Sequence, residues 1–319
     1  MLLLRAISIL FAIILLLLTA CSYDSNAGQV DNVGMLVETT IHDQAWGQEG
    51  YKGLMSIQEE YGVDVYFKEG IKSYNQTAQA VDELVKEGAQ VIFGHSSIYG
   101  KYFQKLHESY PDVHFIYFNG DFAAKNVTSL NFSANAMGFF GGMVAGKMTK
   151  SNHVAVIAAY EWQPEVEGFY EGVKYENPEA EVDISYVNSW DNSEKALVLY
   201  NQMKEHGADV YYPAGDQFNL AVIHAIQNDQ QYAIGYVSDQ SSLGKNTVLT
   251  STVQKVDAVY NVAMDRLMQG KLPGKVVHFD FKDGAIALGN FSPQVSESYQ
   301  QKIKTSVERY VKTGKLPNQ

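Results

Sequence analysis

The sequence predicts an α/β fold with two doubly wound lobes, each built on a mostly parallel sheet. Two observations point to it. Short apolar runs alternate with helical stretches from Val30 onwards, and this alternation occurs as two similar series. A third is that the length of 319 residues exceeds what one hydrophobic core usually holds, about 250–300 residues. In such sheets ligands bind beyond the carboxyl ends of the strands, so we expect the functional residues there.

The first series of elements covers the amino-terminal half of the chain. Strands are predicted at 33–37, 63–67, 90–93, 113–118 and 127–132, and helices at 45–61, 75–86, 98–110 and 134–148. The third helix stops before Pro111. The fourth helix contains four glycines, Gly138, Gly141, Gly142 and Gly146, which we expect to permit close backbone packing.

The second series shows the same alternation of strands and helices. Strands are predicted at 153–158, 182–187, 209–212, 232–237 and 247–250, and helices at 164–176, 193–206, 219–227, 256–268 and 295–310. The segments 276–281 and 285–288 are predicted to form a hairpin that turns on Asp283 and Gly284.

Residues 1–20 are predicted to be a lipoprotein signal peptide. An apolar run from Ala6 to Leu18 follows Arg5, and it is shorter than the ~20 residues of a membrane helix. An uncleaved anchor remains an alternative because Leu2 to Leu4 lengthen the run. The segment 18–21 (LTAC) resembles the bacterial lipobox, which predicts lipidation of Cys21, a tether over 21–30 and a location on the outer face of the cell membrane. The alternative is a chance cysteine after an ordinary signal.

Composition excludes several classes of function. Against 36 Asp and Glu there are 24 Lys and Arg, a net charge of -12, so we expect no direct binding of nucleic acid. A single cysteine excludes a disulfide framework and a multi-cysteine metal site. The chain has no phosphate-binding P-loop, and Ile98 stands where a nucleophile elbow at Gly94 to Ser97 would need glycine. We therefore predict no catalysis, no metal and no cofactor.

Polar and aromatic residues after the predicted strands are the candidates for ligand binding. Trp46 and Trp162 could stack on a ring, whereas Trp190 is better explained by packing between lobes. Asp216 and Asp239 could accept hydroxyl hydrogen bonds, or they could be turn and cap residues. The remaining candidates at strand ends are His95, Asn119 and Gly215.

Several segments resemble the basic membrane protein family of bacterial lipoproteins, which includes purine nucleoside receptors. They include 33–54 (VGMLVETTIHDQAWGQEGYKGL), 126–148 (NVTSLNFSANAMGFFGGMVAGKM), 233–240 (AIGYVSDQ) and 248–257 (VLTSTVQKVD). The resemblance implies a type I periplasmic-binding-protein-like fold, with a ligand cleft between two lobes that the chain crosses three times. It places 31–132 plus about 248–272 in lobe 1 and 133–247 plus about 273–319 in lobe 2.

The family's nucleoside-binding positions are matched only in part. Asp43 and Trp46 match a D-x-S-F-N segment in which Trp46 keeps an aromatic ring, and Asp239 matches the second Asp of G-V-D-x-D-Q. Val237 stands where the family has an Asp expected to hold ribose hydroxyls, and Gln254 stands where it has a Lys. Because both charged groups are replaced together, we expect no tight binding of ordinary purine nucleosides.

The resemblance leaves two roles open. Within the family the chain is most similar to lipoproteins that raise competence gene expression, and any such effect should be indirect because the chain is acidic. The alternative is a nucleoside-type solute-binding lipoprotein of an ABC transporter. The expected partners are accordingly the membrane through Cys21, a purine nucleoside or another ring-containing small molecule, and a transporter or signalling protein.

Overall fold

Two six-stranded sheets organise the chain in the computed structural model, which describes residues 30–42, 46–272 and 274–319. In chain order the elements are β1 (Asn32–Leu36), α1 (Trp46–Tyr61), β2 (Asp64–Lys68), α2 (Tyr74–Lys86), β3 (Val91–Gly94), α3 (Tyr99–Leu106), β4 (His114–Phe118), β5 (Val127–Phe132), α4 (Ala134–Met148), β6 (His153–Ala158), α5 (Pro164–Glu176), β7 (Glu181–Tyr186), α6 (Ser193–Glu205), β8 (Val210–Ala214), α7 (Phe218–Asn228), β9 (Tyr232–Val237), β10 (Val248–Gln254), α8 (Val256–Met268), β11 (Val276–Phe279), β12 (Ile286–Leu288) and α9 (Glu297–Thr313). Short 3-10 turns occur at His107–Ser109, Ser241–Leu243 and Phe281–Asp283.

Each sheet is the centre of one lobe. The first has the strand order β11-β5-β4-β3-β1-β2 and the second the order β12-β10-β9-β8-β6-β7. All described pairs are parallel except β10 with β12. The α/β fold class with two doubly wound lobes is therefore confirmed.

Buried apolar strands explain why helices cover both faces of each sheet. In β3, Val91 and Phe93 belong to a core shared with α1 and α8, whereas Ile92 faces a second core shared with α2 and α3. Successive side chains of a strand point to opposite faces, so a strand that is apolar at every position needs cover on both sides.

Helices α4 and α5 pack with their backbones in close contact through glycine. A Cβ atom on Gly142 would stand 2.1 Å from the carbonyl oxygen of Phe169, and one on Gly172 would stand 1.9 Å from that of Phe139. The expected role of the glycines in α4 is thereby confirmed for this helix pair. Glycine lowers the helix propensity of α4, but no other residue allows the two helix backbones to approach this closely.

Three crossings join the lobes, at Ser133, at Lys255 and between β11 and β12, and backbone hydrogen bonds tie them together. The Ser133 N–H donates to the carbonyl of Phe279 (2.8 Å), and the Lys255 N–H donates to that of Ala285 (2.7 Å). The first and second crossings are thus each bonded to one end of the third.

The sheet assignment of two segments differs from the expectation. Strand β10 lies in the second sheet, not in lobe 1, because Thr252 pairs with Tyr236 of β9 and its hydroxyl donates to the carbonyl of Gly235. Segments 276–281 and 285–288 form no hairpin, because β11 pairs with β5 in the first sheet and β12 with β10 in the second. The second crossing therefore comes after Gln254, and β11 belongs to the first lobe.

The predicted signal peptide, Cys21 and nearly all of the tether lie outside the described residues. In the described part of the chain no helix has the length and apolar character needed to span a bilayer.

Replacement of Gly142 by Ala should lower the free energy of unfolding by about 1–3 kcal/mol, although Ala is the better helix former. The added methyl group meets a backbone carbonyl that cannot move without separating α4 from α5. The measurement is urea denaturation followed by circular dichroism.

The neighbouring Gly141→Ala is the matched control, because its Cβ would first meet the Thr252 methyl group at 3.2 Å. A side chain can yield where backbone cannot, so we expect a change within about 1 kcal/mol. Equal effects at both positions would contradict the backbone-contact explanation.

Candidate functional site

A cavity of about 620 Å³ lies between the lobes where the carboxyl ends of the two sheets face each other. Its walls include Glu38, Asn119 and Asp216, which follow β1, β4 and β8, and Val237, which ends β9. This is the size of ordinary small-molecule sites and the place where ligands bind in doubly wound sheets.

Six of the ten candidate ligand-binding residues line this cavity: Trp46, Asn119, Trp162, Asp216, Val237 and Gln254. His95, Gly215 and Asp239 do not. Asp43 lies outside the described residues.

Trp46, at the start of α1, is fixed in the cavity wall by His95, which lies beneath its ring. Its indole lies flat on the His95 imidazole, with ring centroids 4.4 Å apart. Its Nε1–H donates to the His95 carbonyl (3.0 Å), and the edges of Phe118 and Phe132 pack against it. An indole held this firmly presents a pre-organised apolar surface to a ligand.

His95 was expected in the cleft, and it instead supports Trp46 from below, with 1% of its surface exposed. Burial lowers the pKa of His95 to about 4, so the ring is neutral near pH 7. Its Nε2 lies 2.7 Å from the Trp46 carbonyl and must carry the proton, and Nδ1 then accepts from the Tyr260 hydroxyl at 3.0 Å. Gly50 leaves room for the ring, since a Cβ there would stand 2.5 Å from it.

Asp239 and Gly215 have structural surroundings that explain why they are not in the wall. The Asp239 carboxylate accepts from the Asn290 backbone N–H and side-chain amide and from the Ser241 N–H, as the turn interpretation predicts. Gly215 makes room for Phe218, whose ring would stand 2.0 Å from an added Cβ. Both residues therefore have local structural roles.

Val237 lies in the cavity wall with a backbone φ of +65°. This left-handed conformation is strained for a β-branched residue, and Asn and Asp tolerate it much better. The backbone at this position thus keeps a shape suited to Asp, the residue that the family resemblance implies, while the side chain is apolar.

Gln254 ends β10 immediately before the second crossing and also lines the cavity. Its side chain is 6% exposed, and its Oε1 atom is buried without a hydrogen-bond partner among the described residues. A buried amide oxygen left unpaired is unfavourable, so the geometry suits a ligand that donates to it.

Glu165 is a functional candidate that sequence reasoning missed. It lies in the first turn of α5 with 4% of its surface exposed, and Oε1 accepts from Gln163 Nε2 (2.9 Å) and from the Tyr236 hydroxyl (3.0 Å). Burial raises the pKa of this carboxyl group above its ordinary value. The available signal was its position, since Gln163 is the N-cap residue of α5 and Glu165 lies in the first turn after β6.

Trp190 packs inside the second lobe and also contributes to the cavity wall. Its ring meets Trp162 edge-on at 5.7 Å, and Trp162 stacks on Tyr160 at 5.5 Å. Packing between lobes therefore does not fully explain Trp190, because this residue also lines the cavity. Together these side chains form an aromatic group on the rim of the cavity.

Comparison with known proteins identifies the family. The model described as ABC transporter substrate-binding protein PnrA-like (Bmp) matches residues 30–319. The chain belongs to this family. The resemblance to the basic membrane protein family is thereby confirmed, and the family description is one of substrate binding, not of catalysis.

Two relatives and two solved structures illustrate the range of the family. The chain is 48% identical over 304 residues to the transcriptional activator protein Med of Bacillus subtilis, covering 95% of this chain and 96% of that protein. It is 26% identical over 300 residues to the ABC transporter nucleoside-binding protein BmpA of Lactococcus lactis, covering 84% of each. A transcriptional activator of the comK gene from Bacillus halodurans superposes with a TM-score of 0.84 at 44% identity, covering 89% of this chain and 99% of that chain. An Aeropyrum pernix solute-binding protein shares the two-lobed fold at 20% identity, with a TM-score of 0.73, covering 90% of this chain and 81% of that chain.

Among the described residues, no group of three His, Cys, Asp or Glu side chains is arranged to hold a metal ion.

Proposed function

We propose that the chain is a lipid-anchored, non-catalytic regulator that activates competence gene transcription indirectly, as its similarity to Med indicates. The observation that carries this proposal is the 48% identity to that transcriptional activator over nearly the whole chain. The net charge of -12 argues against contact with DNA phosphates, so the effect must pass through another component.

The anchor is the lipidated thiol of Cys21, which holds the two lobes at the outer face of the membrane. Two acyl chains on one residue bind a bilayer stably, whereas one chain binds only marginally. Support comes from the LTAC segment at 18–21 and from the small and polar residues that follow it at 22–29.

Cys21→Ala should abolish incorporation of labelled palmitate and release the chain from the membrane fraction. The reason is that no other cysteine is present to be acylated. The measurement is metabolic labelling followed by immunoprecipitation, with and without globomycin. Persistent labelling of the variant would contradict the lipoprotein proposal.

The cavity is proposed to bind a small molecule other than an ordinary purine nucleoside. Its shape and the fixed indole of Trp46 suit a ring, but Val237 and Gln254 cannot supply the charged hydrogen bonds that the family resemblance implies. Each such bond contributes about 1.5–3 kcal/mol. The alternative, a solute-binding lipoprotein of a transporter, is favoured by the similarity to the Lactococcus nucleoside-binding protein.

Calorimetric titration of residues 22–319 with adenosine, guanosine and inosine distinguishes the two roles. The sample is first denatured and refolded to remove bound ligand. We expect no binding in the micromolar range by the natural chain. The double variant Val237→Asp with Gln254→Lys should gain at least about a hundredfold in affinity, since about 2.7 kcal/mol corresponds to a hundredfold.

The single variants are the controls, because each restores one charge without its partner. Asp at position 237 should be accommodated by the left-handed backbone already present there. Micromolar binding of any of these nucleosides by the natural chain would refute the proposal and favour the transporter role.

A further inference from the structure

The charged side chains in the cavity wall are acidic. Glu38, Glu165 and Asp216 line the cavity, and no Lys or Arg is among its described lining residues. Lys72 lines an adjoining, smaller cavity of about 160 Å³, whose other charged lining residues are three carboxylates, Glu38, Asp191 and Asp216. An anionic ligand would therefore enter an unfavourable field, and a cationic ligand a favourable one.

Glu38 and Asp216 approach the cavity from opposite lobes, one after β1 and the other after β8. The Glu38 carboxylate accepts a hydrogen bond from the Ser96 hydroxyl, which fixes its orientation. Both carboxylates line the two cavities together with Trp190, so they lie where the cavities meet, beside an indole. Carboxylates next to an aromatic ring form a favourable environment for an organic cation.

The aromatic group on the rim offers a large open surface. The Trp162 ring is stacked on Tyr160 on one side, yet 58% of the residue's surface is exposed. Trp is the residue that attracts cations most strongly through its ring, and a flat ligand can also stack on it.

Gln254 adds a requirement for hydrogen-bond donation. Its buried Oε1 has no partner among the described residues and lies in the wall of the same cavity. Such an oxygen is satisfied by an N–H or O–H group of the ligand, and protonated nitrogen is the strongest donor of this kind.

We propose that the cleft binds a small organic cation with N–H donors, a protonated amine or an N-protonated heterocycle, joined to a flat apolar body. Glu38 and Asp216 neutralise its charge, the indoles of Trp46, Trp162 and Trp190 hold its apolar body, and Gln254 accepts one of its N–H groups. This inference rests on the proposed function only in that the cleft must bind a ligand.

Three indole compounds of similar shape and different charge provide the test. Tryptamine is a cation, tryptophol is its neutral counterpart and indole-3-propionate is an anion. Titrated by calorimetry into the refolded chain 22–319, tryptamine should bind saturably with a Kd of about 1 mM or tighter, as expected for a fragment of this size. Tryptophol should bind at least tenfold more weakly, and indole-3-propionate should show no binding.

Variants identify the charges responsible. Asp216→Asn and Glu38→Gln should each weaken tryptamine binding about tenfold while tryptophol binding stays unchanged. The control is Glu161→Gln, which removes an exposed carboxylate next to Trp162 that lines neither cavity and should change neither affinity. N,N,N-trimethyltryptammonium, which keeps the charge but has no ammonium N–H, should bind more weakly than tryptamine.

Equal affinities for tryptamine and tryptophol would overturn the proposal, and so would the absence of saturable tryptamine binding by a folded sample. Tryptamine binding that neither Asp216→Asn nor Glu38→Gln weakens would also overturn it. These outcomes are independent of the proposed regulatory function, whose failure would appear instead as micromolar nucleoside binding.

Discussion

The three crossings between the lobes are the constraint on which the rest of the structure depends. Ser133 and Lys255 donate backbone hydrogen bonds to Phe279 and Ala285, at the two ends of the third crossing. The connections therefore form one bonded unit at the base of the cleft. They hold the carboxyl ends of two mostly parallel sheets opposite each other, and loops that are distant in sequence then share one cavity wall. Gln254, the last residue before the second crossing, is where this unit meets the cavity.

On this scaffold the cleft has the geometry of a ligand-binding protein, but its polar residues differ from those that the family resemblance implies. Trp46 is held against His95 by stacking and by two hydrogen bonds, which is the kind of support that a binding surface needs. Val237 retains a left-handed backbone better suited to Asp, and Gln254 leaves a buried oxygen unpaired. Strain and an unsatisfied group in one cavity wall have a cost in stability. Residues with such a cost are expected at positions whose side chains serve ligand binding and not stability.

Local patterns in the sequence predicted most of the fold. The helices over 134–148, 164–176 and 256–268 and the strands over 127–132, 153–158 and 232–237 have the predicted bounds, because apolar periodicity and Pro and Gly positions are local signals. The sheet that β10 and β11 join was not predictable in this way, because two similar lobes offer equivalent edges. Membership is decided by long-range pairing, as between Thr252 and Tyr236.

Only part of the candidate site was predictable from the sequence, again because local patterns do not show which residues meet across the fold. The rule for strand ends supplied four of the six candidates that line the cavity, and the family resemblance supplied Val237 and Gln254. The rule could not tell which of two neighbouring rings lines the cavity, so it did not predict that His95 lies beneath Trp46. Glu165 was missed because its hydrogen bonds combine a neighbour in sequence, Gln163, with Tyr236 of β9, which only the folded chain brings close.

The central claim joins the two proposals: we infer that the cleft must bind its ligand for the proposed activation of competence genes. The most direct measurement is the activity of a competence-gene reporter in cells whose chromosomal copy carries Ser97→Trp, in which a bulky side chain fills part of the cavity that Ser97 lines. Ser298→Trp, at an exposed position on α9, is the control. With equal amounts of folded protein, we predict that Ser97→Trp lowers reporter activity to the level of a deletion, while Ser298→Trp leaves it unchanged. Full reporter activity in the Ser97→Trp strain would contradict the account.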